Sequence, residues 1–189
     1  MNLPWGDERG KQFVTSVGLI TSTGPHGPNV MSAEWTHHLS YEPGLIGVCV
    51  RPGEATHDNI ERTKEFGVSI AADNQSMFVS VAGNHSGHTV DKVSVLRELG
   101  CVFTPSTHIK APLVEGAAMK AECRVVQSIM LGDHTMFVGE VQEASVTPGK
   151  IPLVYSGGKF RRFGDQIKKP PEEELDRIKA LVLKYAKKS

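Results

Sequence analysis

Most apolar stretches of the chain are short, rich in β-branched residues and bounded by glycine or proline, which is the pattern of strands rather than of helices. The run Phe13–Thr23 predicts a first strand, and the segment Gly24–Pro28 predicts the turn that ends it. Further strands are predicted over Asn29–Leu39, Leu45–Val50 and Phe66–Ala72. The amino-terminal part of the chain is therefore predicted to be mainly β.

The clearest predicted hairpin lies in the second half of the chain. Two long β-type runs, Ala118–Leu131 and Thr135–Val146, flank the turn dipeptide Gly132-Asp133. Since about six strands are predicted and most are joined by hairpins, we expect an antiparallel barrel rather than a doubly wound sheet. The glycine-rich loops typical of dinucleotide and ATP sites do not occur in the sequence.

Three segments between these strands have a different pattern. Ala55–Lys64 predicts a helix, for which Thr56 is a good N-cap and Asp58 places a negative charge in the first turn. Asn74–Gly83 predicts a short helix, whereas Val90–Gly100 is compatible with either a helix or a strand.

The carboxyl-terminal segment predicts an amphipathic helix. Glu172–Lys188 has apolar residues at helical spacing, an acidic start and a basic end. Pro170-Pro171 separates this helix from the rest of the chain, and 189 residues suit one domain better than two. We expect one domain over residues 1–169 and an appended helix over residues 170–189.

Composition narrows the class of protein. Lys plus Arg and Asp plus Glu are 21 each, so the chain lacks the basic excess of a dedicated nucleic-acid binder. The sequence shows neither an apolar membrane span nor a signal peptide, and we expect a cytoplasmic protein. The three cysteines lie far apart, which argues against a redox pair or a zinc ribbon.

The start of the first predicted helix is a candidate phosphate site. A helix N-terminus offers unpaired N–H groups and partial positive charge. Thr56 could add a hydroxyl, Asn59 an amide and Arg51 a charged contact. Alternatively, Thr56 only caps the helix and Arg51 is solvated.

Histidines are the other candidate reactive groups. His134 follows the predicted turn and is either structural or functional. His85, His88 and Asp91 have the spacing of metal ligands on one helical face, but the glycines around them make a regular helix doubtful, and we assign no metal site. No nucleophile motif accompanies these residues.

Four segments each carry only a weak family signal, but their occurrence in this order is specific. They are Asn29–Trp35 followed by Leu39–Pro43, Thr56–Ile60 with Glu65–Ile70, Gly132–Val141, and Pro152–Phe160. The third closely resembles the signature G-D-H-T-x-F-x-G-x-V, and the fourth is similar to P-L-x-Y-x-G-G-x-Y with Phe160 in the last position. Over about residues 13–164, the chain resembles the flavin reductase-like family, the FMN-binding split barrels.

The resemblance implies a six-stranded antiparallel Greek-key split β-barrel with short helices, assembled as a homodimer with FMN near the subunit interface. It implies NAD(P)H binding near the G-D-H block, with His134 as the catalytic candidate and Asp133 and His134 as substrate-binding candidates. It also implies flavin contacts, largely through backbone groups, from these residues: Asn29, Val30, Met31, Ser32, Ala33, Val48, Cys49, Val50, Arg51, Thr56, His57, Asn59, Ser80, Val81, Ala82 and Gly83.

The activity that the resemblance implies is hydride transfer from a pyridine nucleotide to FMN. Because the flavin ring itself accepts the hydride, the protein needs no nucleophile of its own. The alternatives are an FMN-bound electron carrier reduced by a protein partner and a protein that only binds flavin. The electron acceptor stays open among free flavin for a monooxygenase partner, ferric chelates and another redox protein. Arg51 and Lys92 are possible substitutes for the family's usual phosphate ligands.

Overall fold

The computed structural model describes residues 1–4 and 6–185, which form a mainly β protein with four α-helices within this range. The strands are β1 (Val14–Ser16), β2 (Gly18–Gly24), β3 (Gly27–Ala33), β4 (Thr36–Ser40), β5 (Leu45–Val50), β6 (Glu65–Ile70), β7 (Phe103–Thr104), β8 (Leu113–Val114), β9 (Met119–Leu131), β10 (His134–Val146), β11 (Val154–Ser156) and β12 (Lys159–Arg161). The α-helices are α1 (Ala55–Thr63), α2 (Ser76–Asn84), α3 (Lys92–Glu98) and α4 (Glu172–Lys184), and a short 3₁₀-helix spans Gly10–Gln12.

Seven strands form the main sheet, in the order β3-β2-β6-β9-β10-β5-β4, and every pair in it is antiparallel. The prediction of a mainly antiparallel β-fold is therefore confirmed, but the count of six strands is wrong. Two smaller sheets, β1-β11-β12 and β7-β8, flank the main one. The predicted hairpin of β9 and β10 is its longest element, and Gly132 supplies the positive φ of +63° that the turn requires.

The main sheet must curl, because its two edge strands are consecutive in the chain. Only Glu34 and Trp35 separate β3 from β4, a link that reaches at most about 11 Å. A flat sheet of seven strands would hold these edges about 29 Å apart. A Cβ on Gly18 of β2 would lie 2.5 Å from Thr36 Oγ1 of β4, which shows how closely the two ends of the sheet approach.

Two apolar clusters form the core. One contains Ile20, Phe66 and Phe137 inside the curled sheet, and the other contains Leu19, Val30 and Leu96 between the sheet and the helices α2 and α3. These six side chains are all completely buried. Helix α1 joins the first cluster through Ile60, and this packing holds the amino-terminal end of α1 against the sheet.

Three segments differ from their predictions. The run 13–23 forms two strands in different sheets, because β1 pairs with β11 while β2 pairs with β3 and β6. The run 29–39 breaks at Glu34 and Trp35, where the chain crosses between the sheet edges. The ambiguous segment 90–100 contains helix α3, which Asp91 caps by accepting a hydrogen bond from the Ser94 backbone N–H.

The predicted carboxyl-terminal helix is present as α4, and none of its residues is buried. Residues 186–189, where we predicted its end, lie outside the described residues. In the described part of the chain, no helix combines the length and apolarity that crossing a membrane requires.

Candidate functional site

Helix α1 begins with backbone N–H groups that no side chain caps. Glu54 is the N-cap residue and makes no capping hydrogen bond. The N–H groups of Ala55, Thr56 and His57 have no acceptor within the helix, because its first backbone hydrogen bond is donated by Asp58. The dipole of the helix makes this end positive. The prediction of Thr56 as the N-cap is wrong: it is the second residue of the helix. The predicted group of N–H donors is nevertheless present.

Thr56 contributes a buried hydroxyl at this helix start. It is 1% exposed, and its Oγ1 accepts a hydrogen bond of 2.9 Å from Asn29 Nδ2 on β3. A hydroxyl that accepts one bond still has its own hydrogen to donate. Thr56 can therefore bind a ligand oxygen while Asn29 holds it in place.

Asn59 has a structural role here, which corrects its prediction as a donor to phosphate. It is completely buried, and its Nδ2 donates to Ser22 Oγ at 3.1 Å and to the Gly27 carbonyl at 2.9 Å. Its Oδ1 accepts from the His26 backbone N–H at 3.0 Å. Because both amide hydrogens are used, Asn59 fastens the β2–β3 turn to α1 rather than facing a ligand.

A buried lysine lies close to the same helix start. Lys92 is 3% exposed, and its Nζ donates to the Ala82 carbonyl at 3.1 Å. Burial lowers the pKa of this ammonium to about 8, and the charge of Glu54 opposes the shift. One carbonyl satisfies only one of its three N–H groups. Lys92 is therefore a buried cation, beside α2 and the start of α1, with donors left for an anion.

The predicted flavin-contacting segments 29–33 and 80–83 lie directly against each other. A Cβ added to Gly83 would collide with Ser32 Oγ, and one added to Gly87 would lie 2.6 Å from Asn29 Oδ1. The end of α2 and the loop after it thus pack on β3 with no space for larger residues. Val30 and Ala33 on β3, and Ala82 on α2, point into the core, so their backbone rather than their side chains can meet a ligand. The Ser80 hydroxyl donates a hydrogen bond to the Ser76 carbonyl of its own helix. Met31 and Val81 are partly buried and pack against the core.

The β5 segment can contribute mainly backbone groups to the site. Val48 and Val50 are completely buried in the core, so their contact with a flavin stays a prediction that concerns the backbone alone. Cys49 alternates to the other face and is half-buried, and burial raises the pKa of its thiol. Arg51 is exposed, and its guanidinium donates to Asp133 Oδ2 at 3.1 Å. Arg51 thus links the loop before α1 to the β9–β10 turn.

His134 lies in a defined setting at that turn. Its Nδ1 is 2.8 Å from Asp133 Oδ1, and its ring centroid is 4.8 Å from that of Trp35. The hydrogen bond from His134, and more weakly the one from Arg51, hold the pKa of Asp133 below its usual value. Trp35, which we did not predict as a site residue, is 45% exposed. Nothing in the sequence marks it as a site residue, because its place in the two-residue link between the sheet edges is visible only in the structure.

The first turn of α1 contacts the strand that begins at His134. His57 Nε2 is 3.0 Å from Thr135 Oγ1, the residue after His134, and its ring packs on Phe137 at 5.2 Å. Residues 56 and 57 therefore reach β3 and β10 respectively. The structure brings together a polar helix start and a histidine beside an exposed tryptophan.

His85, His88 and Asp91, whose spacing resembles that of metal ligands, do not come together in the structure. Within the described residues, neither His85 nor Asp91 belongs to a group of three ligating side chains. Both Asp91 oxygens bond Ser94, Oδ1 its backbone N–H at 3.0 Å and Oδ2 its hydroxyl at 2.6 Å. His88 lies instead beside His26 and Asp58.

Comparison with known proteins gives a consistent result. Residues 10–164 match the flavin reductase like domain. The FMN reductase (NADH) of Agrobacterium fabrum is 28% identical over 155 residues, which are 82% of each protein. The solved NADH:FAD oxidoreductase of Streptomyces globisporus, in complex with NAD and FAD fragments, superposes with a TM-score of 0.75 at 27% identity, over 89% of this chain and 100% of that one.

A second solved structure is similar to the same extent. It is the flavin reductase component of a bacterial two-component tryptophan halogenase, 30% identical with a TM-score of 0.73, over 84% of this chain and 96% of that one. The matched domain covers most of the chain and includes the α1 start, Lys92 and the His134 turn. The protein belongs to the flavin reductase-like family.

Proposed function

We propose that the protein is an NAD(P)H-dependent flavin reductase that binds FMN. The observation that carries this proposal is the anion-binding group at the start of α1, where free backbone N–H groups lie with the Thr56 hydroxyl and the buried Lys92. In a member of this family, the arrangement suits the phosphate of a flavin nucleotide.

The donor set fits that phosphate in charge and in chemistry. The backbone N–H groups of Thr56 and His57 and the Thr56 hydroxyl would donate to its oxygens, and Lys92 would neutralise part of its charge. Placing an anion beside Lys92 also compensates the burial that lowers the pKa of this ammonium to about 8. The close packing of Gly83 and Gly87 on β3 holds the two predicted flavin-contacting segments, 29–33 and 80–83, in fixed positions relative to each other.

A bound flavin supplies the redox chemistry, since its ring accepts a hydride from reduced nicotinamide. The chain supplies binding and orientation. Asp133 accepts a hydrogen bond from His134 Nδ1, which fixes the ring and leaves Nε2 for a substrate. Trp35, packed against that ring and partly exposed, offers an apolar surface for a flat nicotinamide. We therefore assign substrate positioning to His134, Asp133 and Trp35.

The choice of FMN over FAD is part of the proposal. The site offers one compact cationic group, which matches a single terminal phosphate, whereas FAD carries two phosphates and an adenosine. The relatives include reductases of both flavins. Comparing the affinities for riboflavin, FMN and FAD would test this choice, and FAD binding tighter than FMN would contradict it.

Several finer features also belong to the proposal. We infer that the curled sheet is the split barrel of the family, that residues 1–169 are one unit with an appended helix at 170–189, and that the protein is a cytoplasmic homodimer. We also infer that it can supply reduced flavin to a second enzyme such as a monooxygenase, because a relative is the reductase component of a two-component halogenase.

The test is anaerobic mixing of the FMN-loaded protein with NADH and with NADPH. We expect the yellow colour of the oxidised flavin to bleach within the time of a stopped-flow experiment with at least one of the two. A flavin that stays oxidised with both, yet is reduced by dithionite, would instead support an electron carrier reduced by a protein partner. Failure to bind FMN at all would refute the proposal.

A further inference from the structure

We propose that His26, Asp58 and His88 form a binding site for a divalent transition-metal cation such as Zn²⁺. The three side chains come from separate segments of the chain, which are the β2–β3 turn, the first turn of α1 and the loop between α2 and α3. Each offers one ligand atom, and the three atoms lie within 4.8 Å of one another. The site does not depend on the proposed flavin chemistry.

The donor set suits a borderline metal ion. Two imidazoles and one carboxylate are a common set for zinc with three protein ligands, and the fourth position is then open to water. Tetrahedral zinc holds its ligand atoms roughly 3.4 Å apart. His26 and His88 are exposed, and Asp58 is only half-buried, so the core does not hold these side chains fixed.

Existing contacts already orient the three side chains. His26 Nε2 is 2.9 Å from Asp58 Oδ2, and the rings of His26 and His88 meet edge to face with centroids 4.4 Å apart. His88 Nε2 is 2.9 Å from the Gly53 carbonyl. When Nε2 donates to that carbonyl, Nδ1 keeps its lone pair. Metal-ligating histidines commonly have this arrangement, in which one nitrogen donates to a carbonyl and the other binds the metal.

The surroundings provide access and a net negative ligand set. A cavity of about 480 Å³ borders the cluster, and His26 and His88 form part of its wall. One carboxylate and two imidazoles offer a dication a negative charge and two nitrogen lone pairs. A bound ion would link the β2–β3 turn, α1 and the loop 85–91.

The experiment uses the full chain, purified without a histidine tag and stripped of metal with a chelator. Equilibrium dialysis against Zn²⁺ measures binding by the wild type and by the variants His26→Ala, His88→Ala and His85→Ala. We expect one Zn²⁺ per chain for the wild type and for His85→Ala, which is the matched control in the same loop. His26→Ala and His88→Ala should each weaken binding by about tenfold or more.

Two further measurements separate binding from folding. Zn²⁺ should raise the melting temperature of the wild type and leave that of the double variant His26→Ala/His88→Ala unchanged. His88→Gln, which keeps a donor for the Gly53 carbonyl, should also lose Zn²⁺ binding. Equal affinity of the wild type and the double variant would overturn the proposal. So would an equal loss of binding in His85→Ala and His88→Ala.

Discussion

Replacing Lys92 by methionine tests the phosphate site, because it removes the buried charge and keeps the length of the side chain. A charge-assisted hydrogen bond contributes about 1.5–3 kcal/mol, so FMN should bind about 10- to 150-fold more weakly. Riboflavin, which has the same ring and no phosphate, should bind both proteins equally. The assay is quenching of flavin fluorescence in a titration of flavin-free protein.

The pH dependence gives a second readout of the same lysine. Because the pKa of Lys92 is lowered to about 8, the free protein carries the charge below that pH and loses it above. Binding an anion then requires uptake of a proton. FMN affinity of the wild type should therefore fall about tenfold between about pH 7 and pH 9, and that of Lys92→Met should not. Riboflavin affinity should be flat in both.

The stability of the flavin-free protein should increase with pH above about 8, relative to Lys92→Met. Below about pH 8, the folded protein holds a buried charge that the unfolded chain hydrates, and this costs stability. As pH rises from about 8 toward 10.5, the folded form is neutral while the unfolded lysine still binds a proton, so the free energy of unfolding of the wild type should rise relative to Lys92→Met.

Lys64→Met is the matched control for these measurements. Lys64 follows the last residue of α1, is half exposed and pairs with Glu61, so it lies at the opposite end of the same helix. It should leave FMN affinity and its pH dependence unchanged. Equal FMN affinity in Lys92→Met and the wild type, or an equal loss for riboflavin, would refute the assignment of Lys92 to the phosphate.

Other substitutions test the remaining parts of the site. His134→Ala should leave FMN bound but slow its reduction by NAD(P)H by about tenfold or more, about 1.4 kcal/mol, in stopped flow; an unchanged rate would remove His134 from the site. Asn59→Ala leaves buried partners unsatisfied and should destabilise the protein by about 2–3 kcal/mol in urea unfolding, whereas a neutral result would contradict its fastening role. Gly83→Ala forces the Ser32 hydroxyl or the end of α2 to shift and should weaken FMN binding, and adding Ser32→Ala should restore it because the clash is with Oγ; a double variant as weak as Gly83→Ala alone would argue against this packing.

Sequence patterns correctly predicted the elements that form because of residues close together in the chain. The β9–β10 hairpin follows from two long β-type runs around Gly132, and α1 follows from its composition. The order of the resembling segments also located the α1 start and the His134 turn. These features depend on residues that are neighbours in the sequence, so the pattern of residues is enough to predict them.

Features that depend on distant packing were not predictable in the same way. The break at Glu34 and Trp35 exists because two sheet edges must meet, which no property of the run 29–39 indicates. The alternation along β5 turns Val48 and Val50 inward once β10 pairs with it. Lys92 follows a polar loop, and its burial arises only when α3 packs beside α2.

The N-cap assignment failed for a related reason. Thr56 has the side chain of a typical N-cap, but Asn29 from β3 bonds its hydroxyl, and the helix begins one residue earlier at Ala55. That contact joins residues far apart in sequence. The same tertiary bond supports the binding role, because it places the hydroxyl among the free N–H groups.

A crystal structure of the protein with FMN would show which residues hold the phosphate. We expect the phosphate within hydrogen-bond distance of the Thr56 and His57 backbone nitrogens and of Lys92 Nζ. Density for the flavin at another place, with the first turn of α1 and Lys92 bonded only to protein or water, would refute a phosphate site at the start of α1.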